Sequence, residues 1–266
     1  MEPFTQRSPR VVAARRLTRR SEREKAGLFL AEGANAVDAA LAARVAHELF
    51  VTERAGQAHP ALVAAAREQG IRVSPITERA ADGLSETVTP QGIVAVCELL
   101  DRPLGGLLAP GARLVAVLVD VADPGNAGTV IRVADAAGAD AVILAGDSVD
   151  PHNGKCVRAS AGSVFHPPLA RVRDTEAALA ACREAGLRLL GAHGYAETEL
   201  DSMPLDRPIA WVFGNEAHGL SEAVLSSVDE AVRIPIYGAA ESLNLGTAAA
   251  VCLYASAMAV RRSSGG

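Results

Sequence analysis

The sequence predicts an α/β protein of two domains, and three observations carry that prediction. Short apolar runs alternate with helix-compatible segments, the pattern that builds sheets covered by helices. One run, Leu114–Val119 (LVAVLV), is apolar throughout, as a central parallel strand buried on both faces requires. Between the alternating blocks, residues 101–111 (DRPLGGLLAPG) hold two prolines and three glycines, which reads as a linker. The expected domains are therefore residues 1–105 and 112–266.

Taken in order, residues 8–26 hold good helix formers and no proline beyond Pro9, so a basic helix is expected. Strands follow at 28–31, 49–52, 71–76 and 92–99. Helices are expected at 34–48, at 60–69 with proline in the first turn, and at 78–85. Beyond the linker, strands are expected at 114–119, 141–145, 187–192, 209–213 and 232–236. Asp123-Pro124-Gly125-Asn126 reads as a turn before a helix opened by Gly128, and residues 153–163 as a short helix or loop carrying Lys155 and Arg158. Helices at 175–185 and 243–260 complete the second domain.

Composition narrows the function. The chain is 49 % hydrophobic and 21 % charged, which suits a substantial core. Only 3 % is aromatic, so exposed rings for stacking nucleic-acid bases are scarce. The net charge of −5 is unevenly spread. Residues 1–25 hold Arg7, Arg10, Arg15, Arg16, Arg19, Arg20, Arg23 and Lys25 against three glutamates, a net of +5, leaving −10 for the remainder. Such a segment either touches a polyanion or forms a solvated helix. Cys97, Cys156, Cys182 and Cys252 are widely spaced and read as small buried hydrophobes in a reducing compartment. The N-terminus is charged, and the apolar C-terminal helix falls short of the ~20 residues of a membrane span, so a cytoplasmic location is expected.

Residues 209–254 are the richest in chemistry. Two apolar runs each lead into a loop of glycines and small polar residues, and loops leaving the C-terminal ends of strands are the usual ligand sites of α/β sheets. Gly214, Gly219 and Gly238 permit close backbone approach, while Glu216, Ser242 and Asn244 supply hydrogen-bonding groups. In the earlier loop, Asn126 and Arg132 flank the first turns of a helix whose N-terminus suits an anion. Familiar alternatives fail. The dinucleotide fingerprint, the phosphate-binding loop and the serine-hydrolase elbow are absent, and the six histidines, His218 included, show no ligand spacing, so no metal is expected.

Three segments together resemble the motifs of the SpoU-type RNA 2′-O-ribose methyltransferases (SPOUT superfamily, TrmH-like), and specifically their thiostrepton-resistance-like branch. They are residues 126–132 (NAGTVIR), 213–220 (FGNEAHGL), and 234–236 (IPI) through 241–244 (ESLN), in the family's order. Residues 29–33 (FLAEG) and 87–96 (TVTPQGIVAV) resemble the ribosomal-protein-like RNA-recognition domain that often precedes the catalytic one. The resemblance implies an α/β catalytic domain with a trefoil knot, S-adenosylmethionine as cofactor, a homodimer, and methylation of a ribose 2′-hydroxyl in structured RNA. Ribosomal RNA of the large subunit is favoured over transfer RNA; a catalytically silent RNA-binding protein is the remaining alternative. It places the cofactor at Gly214, Ile234 and Leu243 with Asn215 and Gly219, and the catalytic shell at Arg132, Asn126, Glu216, Ser242 and Asn244. Arg132 is proposed either to activate the hydroxyl or to clamp a phosphate; Glu216 is a catalytic group or a loop brace, and Asn244 a catalytic group or a helix N-cap. Two departures touch the cofactor loops: Ala217 stands where a glycine is common, and Gly246-Thr247 where a small polar pair is usual.

Overall fold

The computed structural model describes residues 2–264; Met1, Gly265 and Gly266, at the ends of the two expected domains, lie outside them. The chain begins with α1 (Pro9–Arg16), α2 (Arg20–Ala26), β1 (Leu28–Glu32), α3 (Ala34–Ala42), β2 (Ala46–Val51), α4 (Glu53–Ala58), α5 (Pro60–Glu68), β3 (Arg72–Pro75), α6 (Glu78–Asp82) and β4 (Ile93–Glu98). It continues with β5 (Leu114–Val119), α7 (Pro124–Ala137), β6 (Ala141–Ala145), α8 (Gly154–Ser160), β7 (Leu169–Val172) and α9 (Thr175–Glu184). The last elements are β8 (Arg188–Ala192), β9 (Thr198–Glu199), β10 (Ile209–Phe213), α10 (Glu222–Ser227), β11 (Glu230–Arg233) and α11 (Leu245–Ser264). Two compact units result: residues up to 100 with 150–166, and residues 101–149 with 167 onward.

The first unit is a four-stranded sheet in the order β1-β4-β2-β3, with β4 antiparallel to both neighbours and β2 parallel to β3. Alternation along the strands separates two apolar faces. Leu30, Phe50, Val94 and Val96 pack with Val11, Ala14 and Leu17 of the N-terminal helical segment and with Ala80, Ala81 and Leu84. On the other face, Phe29 meets the rings of His152 and Phe165 at 4.7 and 5.8 Å, which draws the segment after Asp150 into this unit.

The expected basic helix is broken. Leu17 turns inward and is 6 % exposed, and α2 restarts after Arg19 in an extended conformation. Arg23 explains the break. Its Nη1 donates to the carbonyls of Leu17 and Thr18 at 3.0 and 2.9 Å, and its Nε and Nη2 both donate to Oδ2 of Asp150 at 2.9 and 2.7 Å. The helix expected at 34–48 stops at Ala42, because residues 46–51 pair with β4 and Glu48 accepts from Ser74 Oγ at 2.5 Å. Helix α4, unexpected, starts at Thr52, whose Oγ1 accepts from Ala55 N.

The second unit is a seven-stranded sheet in the order β7-β6-β5-β10-β8-β11-β9, and every adjacent pair is parallel. The apolar run of β5 lies inside it, buried along its whole length. Helix α7 starts at Pro124, earlier than the expected Gly128, because Asp123 caps it by accepting from Asn126 N at 2.9 Å. Strand β7 and helix α10 were not expected, and β11 ends before Ile234-Pro235, since proline cannot donate to a ladder. The C-terminal helix returns over α7, β5 and β10, and Trp211 Nε1 donates to Ser256 Oγ at 2.9 Å with both side chains buried. No helix among the described residues is long and apolar enough to cross a membrane, and none of their His, Cys, Asp or Glu groups clusters as metal ligands do.

Asp150 sets a testable stability term. Burial raises its carboxyl pKa, but hydrogen bonds from His152 and Arg23 outweigh burial and hold the group well below the usual carboxylate range. A depressed folded pKa gives stability that is present above the unfolded aspartate value of ~3.9 and lost as acid approaches the folded value. Arg23→Ala strands a buried carboxylate and should lower stability by roughly 3–5 kcal/mol at neutral pH in urea titrations. An unchanged midpoint would refute that assignment.

Candidate functional site

The loops at the C-terminal ends of β5, β8, β10 and β11 converge on a cavity of about 480 Å³. That size is ordinary for a small-molecule site. The loop after β10 contributes Gly214, Asn215, Glu216 and Gly219; residues after β11 contribute Ile234; residues preceding α11 contribute Ser242, Leu243 and Asn244; and α7 contributes Asn126. Gly214, Ile234 and Leu243 therefore line one cavity. Arg132 does not line it. It lies on the exposed side of α7, six residues past Asn126.

Backbone geometry explains the glycines. A Cβ on Gly214 would meet Leu220 N at 2.5 Å and press still harder on the Gly219 carbonyl, nearer than real Cβ atoms come to backbone. Gly219 has φ +66°, in the left-handed region, and exchanges backbone hydrogen bonds with Asn215 at 2.8 and 3.0 Å. The loop is thus a tight turn closed on itself beneath the cavity. Asn215 braces it further: its Nδ2 donates to the Asp120 carbonyl at 2.8 Å and its Oδ1 accepts from Ala217 N and His218 N. Ala217 does not adopt positive φ, so a glycine is not required there. At the other departure, a Cβ on Gly246 would reach Thr129 Cγ2 at 2.6 Å, so close packing of α11 on α7 demands glycine.

Polar groups form a chain across the floor. Glu216 accepts from Ala122 N, Asp123 N and Asn126 Nδ2, each at 3.0 Å. Asn126 Oδ1 accepts from Asn244 Nδ2 at 3.0 Å, and Asn244 Oδ1 accepts from Gly246 N at 2.9 Å, capping α11. Partial burial raises the Glu216 pKa, but hydrogen bonds from Ala122, Asn126, its own backbone and Asp123 prevail and lower it. Its carboxylate is ionised and engaged as a brace between the loop after β10 and the start of α7. Ser242 is exposed at the rim.

Three lining residues lay outside the sequence reading: His193, Gly194 and Tyr195, in the loop after β8. The signal was available, since a strand leading into Gly-rich sequence is the grammar that marked the other two loops. Lys155 and Arg158 belong to α8 in the first unit, where Arg158 pairs with Glu32 at 3.2 Å.

Comparison with known proteins supplies the family. The SpoU rRNA Methylase family matches residues 113–254, and the MRM3-like substrate binding domain matches residues 8–95. The chain is 35 % identical over 241 residues to the 23S rRNA (guanosine(2553)-2′-O)-methyltransferase RlmP of Bacillus subtilis, covering 90 % of this chain and 92 % of that protein. A 23S rRNA (guanosine-2′-O-)-methyltransferase, RlmB of Bordetella pertussis, is 34 % identical, over 72 % of this chain and 80 % of its own. Among solved structures, an AdoMet-bound rRNA methyltransferase from Sinorhizobium meliloti superposes with a TM-score of 0.84 at 31 % identity, covering 98 % of each chain. The SpoU methyltransferase AviRb from Streptomyces viridochromogenes, in complex with the cofactor AdoMet, gives 0.84 at 29 % identity, over 97 % of this chain and 100 % of its own. A family match across more than half of the chain, on a cavity built from the family's three motifs, has one meaning: this protein is a member of the SpoU rRNA methylase family.

Proposed function

We propose that the chain transfers a methyl group from S-adenosylmethionine to a ribose 2′-hydroxyl of 23S ribosomal RNA, using a knotted catalytic unit that works as a homodimer. The observation that carries this reading is the Gly214 cradle, a turn so tight that a Cβ there would collide with the Gly219 and Leu220 backbone, and which lines one cavity together with Ile234 and Leu243. An adenosyl group suits such a slot: apolar walls take the ring, and backbone groups read its edge. When bound, the cofactor supplies an electrophilic methyl group. The chain's own residues do the rest. Gly214, Asn215, Gly219, Ile234 and Leu243 hold the ligand, and Glu216, Asn126 and Asn244 keep the loops in register. Glu216 is not the proton acceptor, because its oxygens are already committed to backbone and amide donors. Arg132, exposed on α7 outside the cavity lining, offers only hydrogen-bond donors in a planar fork, which suits it to clamp an RNA phosphate and so orient the hydroxyl.

The large-subunit target is favoured by the named activities of the curated relatives, whose sequences align over most of this chain. The knotted path is what the family resemblance implies for the catalytic unit, residues 113–254 of which match the SpoU rRNA Methylase family. The homodimer is supported by Val251, Tyr254 and Met258, spaced along one face of α11 at 38, 42 and 50 % exposure. The first unit would grip the RNA backbone through α1, α2 and the turn between them. Arg7, Arg15, Arg16, Arg19 and Lys25 are exposed and, among the described residues, carry no ion pair, whereas Arg10 and Arg20 pair with Glu48 and Glu24.

Three measurements test this reading. Gly214→Ala should distort the turn and weaken cofactor binding by about 10-fold or more in calorimetry, whereas Arg132→Ala should bind cofactor normally and lose about 10²–10³ in methylation rate. Equal cofactor affinity for Gly214→Ala and wild type would sink the cradle. Replacing Arg15, Arg16 and Arg19 together by Gln should weaken RNA binding and reduce the log–log salt slope by roughly 2–3, at ~0.7–0.9 per lost phosphate contact; an unchanged slope would exclude this face. Deletion is the wrong test, because Val11, Ala14 and Leu17 belong to the core. Met258→Glu should convert a dimer to monomer in sedimentation velocity, and a wild-type monomer would reject the assembly.

A further inference from the structure

Aromatic side chains are scarce in this chain, and Trp211, Phe29, Phe50 and Phe213 are fully buried. Tyr195 is the opposite case. It lines the cavity and is 92 % exposed, so its ring contributes almost nothing to the core.

The backbone beneath it is anything but a loose tip. His193 N donates to the Val232 carbonyl at 3.0 Å, which ties the loop to β11. Ala196 N donates to the His193 carbonyl at 3.1 Å, closing a turn across Gly194 and Tyr195. Arg233 Nη1 donates to the Ala196 carbonyl at 3.1 Å while its Nη2 pairs with Glu199 at 2.5 Å. Ala196 itself is 6 % exposed, an anchor on the inner side of the turn. The His193 ring meets Tyr195 edge-on, centroids 5.9 Å apart at 67°. A flat π surface is therefore carried at the solvent side of the cavity on a pinned turn, with its area unspent.

We infer that Tyr195 stacks on the target nucleobase of the RNA and so positions that nucleotide's ribose at the cavity. The inference rests on the methyltransferase reading and extends it to the substrate. Two candidates for the stacked ring are the cofactor's adenine and the RNA base. The adenine slot lies at Gly214, Ile234 and Leu243, which run from buried to 36 % exposed, whereas Tyr195 at 92 % stands far more open to solvent, the side from which a splayed-out RNA base arrives. Stacking is tolerant of base identity, so Tyr195 sets the depth and tilt of the nucleotide, not its sequence. Tyr237, also 91 % exposed, lines a separate groove beside α11 and is not part of this surface.

The test uses the full chain and unmodified 23S ribosomal RNA transcribed in vitro. Tyr195→Ala should lower kcat/KM for RNA by about 5- to 150-fold, the range of one lost base–aromatic stack, chiefly through KM. Its cofactor Kd by calorimetry and its thermal midpoint should match wild type, and Tyr195→Phe should restore the RNA KM because the ring is kept. Unchanged kcat/KM in Tyr195→Ala overturns the proposal, and so does a weakened cofactor Kd, which would assign the ring to adenine. A wild type that neither binds S-adenosylmethionine nor methylates RNA overturns the methyltransferase reading itself, and Tyr195 with it.

Discussion

The second unit depends on how Glu216 is used. One carboxylate receives two backbone N–H groups from the loop after β5 and the side-chain amide of Asn126. Residues more than ninety positions apart in sequence are thereby held at one point. Each bond is charge-assisted, and such bonds are roughly twice as strong as neutral ones. Through Asn126 the constraint reaches Asn244 and the first turn of α11. The three motifs that stand apart in the sequence are one hydrogen-bonded object in the fold. Loss of the carboxylate would leave the start of α7, the turn at Gly214 and the start of α11 without a common reference.

That arrangement clarifies what was legible in the sequence. The buried run at Leu114–Val119 is so uniformly apolar that only a strand covered on both faces accommodates it. The glycines at 214 and 219 were legible as close-approach positions, but their mutual contact was not, because it depends on a turn closing back on itself. Gly246 looked like a departure from a family pattern until its neighbour Thr129, more than a hundred residues away, supplied the reason. Helix boundaries failed where a long-range partner decided them. Residues 46–48 carry helix-compatible side chains and became strand because β4 offered a ladder. Arg132 was legible as a functional residue both from its place near a helix N-terminus and by resemblance; the fold puts it outside the cavity, a position that no spacing rule conveys.

Charge in the first unit carries the same lesson. The N-terminal segment reads as uniformly basic, yet its arginines perform different tasks. Arg23 is 3 % exposed and satisfies Asp150 and two main-chain carbonyls freed by the break between α1 and α2. Its guanidinium is a structural cation with nothing left to offer a phosphate. Arg15, Arg16 and Arg19 point outward around that same break. Burying one arginine shapes the helix–turn–helix on which the others are displayed, so part of the positive charge organises the surface that the rest presents.

The composition of the cavity also constrains the chemistry. A ribose hydroxyl must lose its proton during methyl transfer; Glu216 is engaged by three donors and the amides of Asn126 and Asn244 do not act as bases, so the proton passes to another lining group (Glu241, His193 or His218) or to solvent. On the proposed reading a rigid site contributes by holding the hydroxyl in line with the methyl group, an effect that reaches about 7–11 kcal/mol when the alignment is good. Such a mechanism places its demand on rigidity, and the rigidity is visible in the braced turn at Gly214, the capped start of α11 and the pinned loop at Tyr195. On this reading the three loops around the cavity are stiff because alignment is what they contribute to the reaction.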